Sequence, residues 1–196
     1  MRSGPLSTPR RVVLLAGPSG SGKSRLASTA GCPRLNLDDF YLDADHPDLP
    51  HALGMVDWDS PASWDSAAAV RTIHQLILTG RAEVPTYDIA ASRRTGVREL
   101  DLGAARVFVA EGLFAADLVP RCRAAGLELD ALYLTRPRIQ NLLFRFVRDV
   151  HEHRKPVSVL IRRGLVLWRS EPALRAHAVA LGCRPVSLRQ AVAALR

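Results

Sequence analysis

Eight consecutive residues, Gly17-Pro18-Ser19-Gly20-Ser21-Gly22-Lys23-Ser24, carry the clearest chemistry in the chain. They follow G-x-x-x-x-G-K-[ST], the spacing of a P-loop. Gly17, Gly20 and Gly22 let the backbone curl into a nest whose N–H groups turn inward on an anion, with Ser19 and Ser21 in the same loop. Lys23 is a point charge able to reach β- and γ-phosphates, and the Ser24 hydroxyl is a ligand for Mg²⁺. A helix opening at Lys23-Ser24-Arg25-Leu26-Ala27 adds the positive end of its dipole. The expected ligands are ATP and Mg²⁺. The overlapping Gly17-x-x-Gly20-x-Gly22 spacing is not a dinucleotide fingerprint.

Transfer of a phosphoryl group needs more than a cradle. It needs a second anchor for the metal, a base for the accepting hydroxyl, and cations over the transferred group. Glu111 closes the apolar run Arg106-Val107-Phe108-Val109-Ala110, so it is the expected acid beside Ser24 in the metal site; an ordinary strand-end Glu before a Gly turn is the alternative. Asp38 follows the run Arg34-Leu35-Asn36-Leu37 and is the candidate base. A helix cap or turn explains Asp38-Asp39 equally well on local sequence. Arg145, Arg148, Arg154 and Lys155 are the candidate lid cations, against the plainer reading of a solvated helix face.

These residues need a scaffold to hold them. Val12 to Ala16 is apolar and β-branched, which predicts a strand buried on both faces. Similar runs at 34–37, 106–112 and 129–135 predict further strands. Between them lie a loop at 42–54 and a helix capped by Ser60, opened by Pro61, running to Leu78 and closed by Gly80. A hairpin of 83–89 and 97–102 is expected to turn at Arg93-Arg94-Thr95-Gly96. Helices are expected at 113–125, kinked at Pro120, at 139–149, and from beyond Pro156 to about Leu174. A strand at 176–181 and a helix at 187–195 with Ser187 and Gln190 in capping-box register complete the chain. The expected fold is α/β: a parallel sheet flanked by helices, a P-loop nucleoside triphosphate hydrolase fold with a small β-hairpin and a helical lid near 150–157. Residues 1–10 are expected to be a disordered tail and 11–196 a single domain.

Composition sets bounds. The chain has 196 residues, 47% hydrophobic and 23% charged, which suits one soluble globule. No apolar run is long enough to span a membrane, and no secretory signal is expected. Cys32, Cys122 and Cys183 are odd in number and widely spaced, which fits a reducing cytoplasm better than a disulfide framework or zinc site. The net charge is +8, and all but two of the 27 basic residues are arginine, the exceptions being Lys23 and Lys155. Without a basic run or basic–aromatic interleaving, that charge is read as serving a nucleotide and not nucleic acid.

Taken in order, these pieces resemble the uridine kinase family, within the P-loop nucleoside kinases that also include nicotinamide riboside kinase, phosphoribulokinase and bacterial pantothenate kinase. The resemblance covers about 12–155. Leu37-Asp38-Asp39-Phe40-Tyr41 is similar to the family's D-x-F-Y segment, which implies Asp38 as the proton acceptor for a 5′-hydroxyl. Asp57-Trp58-Asp59-Ser60-Pro61 is similar to N-F-D-x-P, which implies Asp59 on the ribose hydroxyls. Val84-Pro85-Thr86-Tyr87-Asp88 is similar to P-x-Y-D and implies Tyr87, with Tyr41, in the acceptor pocket. Val109-Ala110-Glu111-Gly112 is similar to F-E-G, and Arg145-Phe146-Val147-Arg148-Asp149 to R-x-x-R-D, whose arginines face substrate and phosphates. Ser92 stands where uridine-phosphorylating members place a His. Glu152-His153-Arg154-Lys155-Pro156 replaces a lid of the form E-R-G-R-D, and Arg163-Gly164 falls where a Gln-Tyr pair encloses the base.

The function expected is ATP-dependent phosphorylation of the primary 5′-hydroxyl of a ribonucleoside. Two alternatives stay open: a kinase of the same fold for nicotinamide riboside or a non-nucleoside alcohol, and a P-loop regulator that binds nucleotide without an acceptor. Oligomeric state and donor preference are open as well.

Overall fold

The computed structural model describes residues 10–18, 20–52, 54–137, 139–144 and 157–195, with backbone alone for 157–167. Strands β1 (Arg11–Ala16), β2 (Arg34–Asn36), β7 (Val107–Glu111), β8 (Leu129–Leu134) and β9 (Arg184–Val186) form one parallel sheet in the order β2-β7-β1-β8-β9. β1 is central, and the chain leaves it for strands on either side. Its carboxyl end is thus the point where the sheet order reverses, the usual ligand crevice of such sheets.

Burial on both faces of β1 explains its sequence. Val12, Leu14 and Ala16 pack in one core cluster with Ile73, Leu76, Leu118 and Val119, while Val13 and Leu15 pack in a second with Leu26, Ala27 and Ala191. The first cluster is covered by α2 (Ser66–Thr79) and α3 (Leu118–Ala124), the second by α1 (Lys23–Thr29) and α5 (Leu188–Ala194). The capping box at Ser187 and Gln190 is present at the start of α5.

Several boundaries differ from the sequence expectation, each for a physical reason. Ser60 and Pro61 begin only a short 3₁₀ turn, Pro61–Ser63. Trp64 then adopts extended backbone and its indole N–H donates to Leu37 O at 2.7 Å in the core, so α2 restarts with Asp65 accepting from Ala68 N. Residues 113–117 are turns, and α3 begins at Leu118. Pro120 falls in its first turn, where the missing N–H had no helical partner, so no kink is required. The loop at 42–54 contains half of a small antiparallel pair, β3 (His51–Ala52) with β4 (Met55–Val56).

The hairpin is longer than expected. β5 (Arg81–Asp88) pairs with β6 (Arg93–Asp101), so Arg93 to Gly96 is strand and the turn lies at 89–92. Asp88 Oδ1 accepts from the N–H groups of Ala90 and Ala91, and Ser92 takes a left-handed φ of 48°. That local turn chemistry outcompetes Thr95-Gly96. The expected strand at 176–181 is instead the end of α4 (Val157–Ala180), which runs through Pro172. Its stop is Gly182 at φ 95°, with Gly182 N donating to Val179 O and Cys183 N to Ala178 O, a Schellman closure. Among the described residues no helix is long and apolar enough to cross a membrane.

Trp64→Phe keeps the ring and removes the buried donor. Urea unfolding should show a loss of about 1–3 kcal/mol with an unchanged m-value, because Leu37 O is left without its partner.

Candidate active site

β1 delivers the P-loop to the carboxyl edge of the sheet. Gly17 has φ 151° and lies so close to β8 that a Cβ there would sit 3.1 Å from Leu134 O. Gly20 and Gly22 have φ 83° and 90°, and Gly22 is the N-cap of α1. Lys23 Nζ donates to Gly17 O at 2.7 Å and Pro18 O at 3.3 Å, so the ammonium is folded over the mouth of its own loop. Ser21 is fully buried, and its Oγ has no hydrogen-bond partner among the described residues. An orphaned hydroxyl inside a ring of left-handed glycines fits an oxyanion-binding loop.

Ser24, in the first turn of α1, donates its hydroxyl to Glu111 Oε1 at 2.6 Å. Glu111 ends β7 and is 4% exposed. Its Oε1 also meets Arg34 Nη1 at 3.0 Å. Arg34 has no place in the sequence expectation; its use is decided by the β2–β7 pairing and not by its neighbours in the chain. The hydroxyl and the acid expected to share a metal are therefore adjacent hard oxygens, the donor type Mg²⁺ takes alongside phosphates and water. Among the described residues no group of three His, Cys, Asp or Glu is arranged to hold a metal alone.

Asp38 lies one strand further out, in a 3₁₀ turn (Leu37–Phe40) capped by the Asn36 side chain. Oδ1 accepts from Leu113 N at 3.0 Å. Burial holds its pKa above the ordinary aspartate value; the Leu113 hydrogen bond opposes the shift, Glu111 adds to it, and Lys23 and Arg34 oppose it. Asp38 thus shares one electrostatic environment with Lys23 and Glu111. Gly112 makes that proximity feasible, since a Cβ there would lie 2.8 Å from Asp38 Oδ1 and 2.8 Å from Leu37 Cβ. The neighbouring Asp39 accepts from Asn36 Nδ2 and faces Arg98 at 3.9 Å, and burial raises its pKa too.

Beyond Asp38, Tyr41 is the hub of an aromatic wall. Its ring meets Trp58 at 5.8 Å, Tyr87 at 5.9 Å and Phe114 at 5.9 Å. Its hydroxyl donates to Trp58 O, and the Tyr87 hydroxyl donates to Leu42 O. Burial raises the Tyr41 pKa strongly, followed by the charges of Asp38 and Asp59. Tyr41 therefore feels the charge of both carboxylates, of which Asp59 is exposed. Arg94 on β6 donates to Tyr41 O and approaches Asp65 at 3.8 Å. The sequence expectation gives no site role to Arg94, placed there in the turn, or to Arg98. The signal was there in Arg94 and Arg98 four apart, but reading it required knowing that 93–96 is strand. Ser19, Arg145, Arg148, Arg154 and Lys155 lie outside the described residues.

A P-loop at the switch point, a hydroxyl–carboxylate pair and a half-buried aspartate together form an arrangement suited to phosphoryl transfer from a nucleotide. No family model matches the chain. Uridine kinases of Staphylococcus aureus strains JH9 and Newman are each 24% identical over 165 residues, covering 81% of this chain and 77% of theirs. Among solved structures, a candidate fructose transport system kinase from Silicibacter sp. TM1040 superposes with a TM-score of 0.60 at 22% identity, covering 88% of both chains. A candidate uridine kinase from Bacillus stearothermophilus superposes at 0.51 with 21% identity, covering 74% of this chain and 82% of that one. The chain thus has the P-loop kinase fold and a sequence similar to uridine kinases.

Gly112→Ala should be destabilising by roughly 1–3 kcal/mol, because the added methyl meets backbone-anchored neighbours. Gly96→Ala is the control: its Cβ would meet only Thr86 Oγ1 at 3.6 Å. Equal unfolding midpoints for the two variants would remove the close approach of Gly112 to Asp38 from this account.

Proposed function

We propose that the chain is an ATP-dependent kinase for the primary 5′-hydroxyl of a ribonucleoside. One observation carries the reading: a half-buried aspartate, Asp38, is held by Leu113 N against the Gly112 turn that directly follows Glu111, the partner of Ser24 next to the P-loop lysine. A nucleotide-binding regulator has no need of a base there.

In this reading the P-loop amides and Lys23 hold the triphosphate. Ser24 and Glu111 support Mg²⁺, which when bound neutralises charge on the phosphate oxygens. Asp38 accepts the acceptor's hydroxyl proton as the oxygen bonds to the γ-phosphorus, while the bond to the bridging oxygen breaks and ADP leaves. Asp59 orients vicinal hydroxyls, with Tyr41 and Tyr87 lining the acceptor. Arg145, Arg148, Arg154 and Lys155 serve as substrate and lid cations within a single domain spanning 11–196. A cytoplasmic location, where ATP is held, accords with Cys32, Cys122 and Cys183 all being free. The structural likeness to a candidate fructose transport kinase favours one second reading, a non-nucleoside alcohol as acceptor. A screen of nucleosides and sugars for acceptor-dependent ADP release separates the two.

Asp38→Asn should lower kcat by about a hundred- to ten-thousandfold with little change in ATP affinity. The base must be ionised, and burial makes its proton harder to remove. The acid limb of the wild-type kcat profile should therefore lie above about pH 4, the ordinary aspartate value, with activity rising as pH climbs through it. The same shift means that ionised Asp38 costs stability above its folded pKa, and the cost is relieved as pH falls through it. An acid limb at or below the ordinary value would remove Asp38 as base.

Asp59→Asn should act on the acceptor KM. It weakens charge-assisted hydrogen bonds to a diol, so wild-type enzyme should prefer ribo- over 2′-deoxyribo-acceptors and the variant should lose that preference. Unchanged selectivity would leave the diol clamp without support.

A further inference from the structure

We infer that Arg136 is a second phosphate-binding cation of the nucleotide site, acting with Lys23 at the P-loop. The inference rests on the kinase reading above and adds to it a residue that neither the motif nor the lid cluster supplied.

The backbone places Arg136 with little freedom. β8 ends at Leu134 beside β1, so the chain leaves the sheet next to the P-loop. Thr135 is then tied twice to the neighbouring strand, its N–H donating to Val186 O at 2.8 Å and its Oγ1 donating to the same oxygen at 2.9 Å. Pro137 follows, with φ set by its ring, and its carbonyl accepts from Gln140 and Asn141 to start the next helix. Arg136 is held between a double anchor and a proline.

Its guanidinium lies on the P-loop. A Cβ built on Gly22 would be 3.6 Å from Arg136 Nη2, 3.7 Å from Cζ and 3.8 Å from Nη1, ordinary contact along the whole plane of the group. Gly22 directly precedes Lys23 in the phosphate-binding motif. On its way there the guanidinium carbon stands 5.6 Å from the centre of the Phe144 ring. The aromatic contact engages the cation through the ring's π-face, which leaves the in-plane N–H donors available for a bidentate anion. No carboxylate among the described residues pairs with Arg136. A half-buried arginine braced on an aromatic ring and resting on the glycine of a phosphate cradle is suited to the phosphates held there.

The alternative is that Arg136 only packs Phe144 against the loop. Phosphate number distinguishes the two. Calorimetric titrations of wild type, Arg136→Gln and Arg136→Lys with ATP, ADP, tripolyphosphate and adenosine provide the test, with thermal unfolding of each variant alongside. Arg136→Gln should bind ATP, ADP and tripolyphosphate roughly ten- to a hundredfold more weakly, the effect of losing charge-assisted hydrogen bonds, while its affinity for adenosine stays at the wild-type value. Arg136→Lys should recover part of the phosphate affinity, since it restores charge without the planar fork. Equal losses for adenosine and ATP, or no loss for tripolyphosphate, would overturn the inference. If wild type binds none of the phosphorylated probes, the kinase reading fails with it; if wild type binds them and both variants do so equally well, only Arg136 is removed.

Discussion

A single buried carboxylate ties the nucleotide side of this molecule together. Glu111 is 4% exposed, yet its Oε1 is shared by a hydroxyl on α1 and a guanidinium on β2. Burying such a charge without partners costs several kcal/mol, so the strand that carries it must arrive where both partners already stand. That demand fixes three elements relative to one another. β7 must lie between β1 and β2, α1 must begin directly above the end of β7, and the P-loop between β1 and α1 must span the gap. The glycines permit this span because the loop presses against β8, where Gly17 leaves no room for a side chain.

The acceptor side depends on a second constraint, the packing of one 3₁₀ turn. Leu37–Phe40 sits between the Gly112 turn, the Trp64 indole and the hairpin. Leu37 O is held by Trp64, Asp38 Oδ1 by Leu113 N, and Asp39 by Asn36 and Arg98. Each clamp comes from a different part of the chain. The aspartate is therefore set on rigid supports, and its raised pKa is a consequence of that packing more than of any single neighbouring charge.

What sequence could reveal follows from where the deciding forces act. β1, β7 and β8 were legible because burial on both faces leaves no choice but continuous apolar residues. The P-loop and the Ser187–Gln190 box were legible because their chemistry is complete within a few residues. The start of α2 was not. Ser60-Pro61 is the stronger local start, but the buried Trp64 hydrogen bond reaches 27 residues back and holds the backbone extended. Pro172 likewise weakens the local helix signal, yet α4 continues to the Schellman closure at Gly182. Arg34, Arg94, Arg98 and Arg136 resisted prediction for the same reason: among 25 arginines, long-range pairing and not local pattern separates the placed ones from the solvated ones.

Charge placement then links the two sides. The chain carries a net +8, but residues 35–70 contain eight aspartates and no lysine or arginine. This stretch includes Asp38, Asp59, and Tyr41 and Trp58 of the aromatic wall. The cradle, by contrast, has Lys23 folded over its own loop, Arg136 against Gly22, and Arg34 paired with Glu111. The hairpin offsets part of the acidity, with Arg93 toward Asp45, Arg94 toward Asp65 and Arg98 toward Asp39. The Arg93–Asp45 pair is exposed, while the carboxylates of the pairs at 3.8 and 3.9 Å are half-buried; together the three hold the hairpin against the acidic stretch. Among the described residues, cations thus gather at the P-loop and carboxylates in the stretch that holds Asp38 and Asp59. An acceptor that already carries a phosphate would be repelled from the second region, whereas a neutral molecule rich in hydroxyls would meet acceptors for its O–H groups and aromatic faces for its ring. In the proposed kinase reading, this division of charge favours a neutral polyhydroxy acceptor over one that already carries a phosphate.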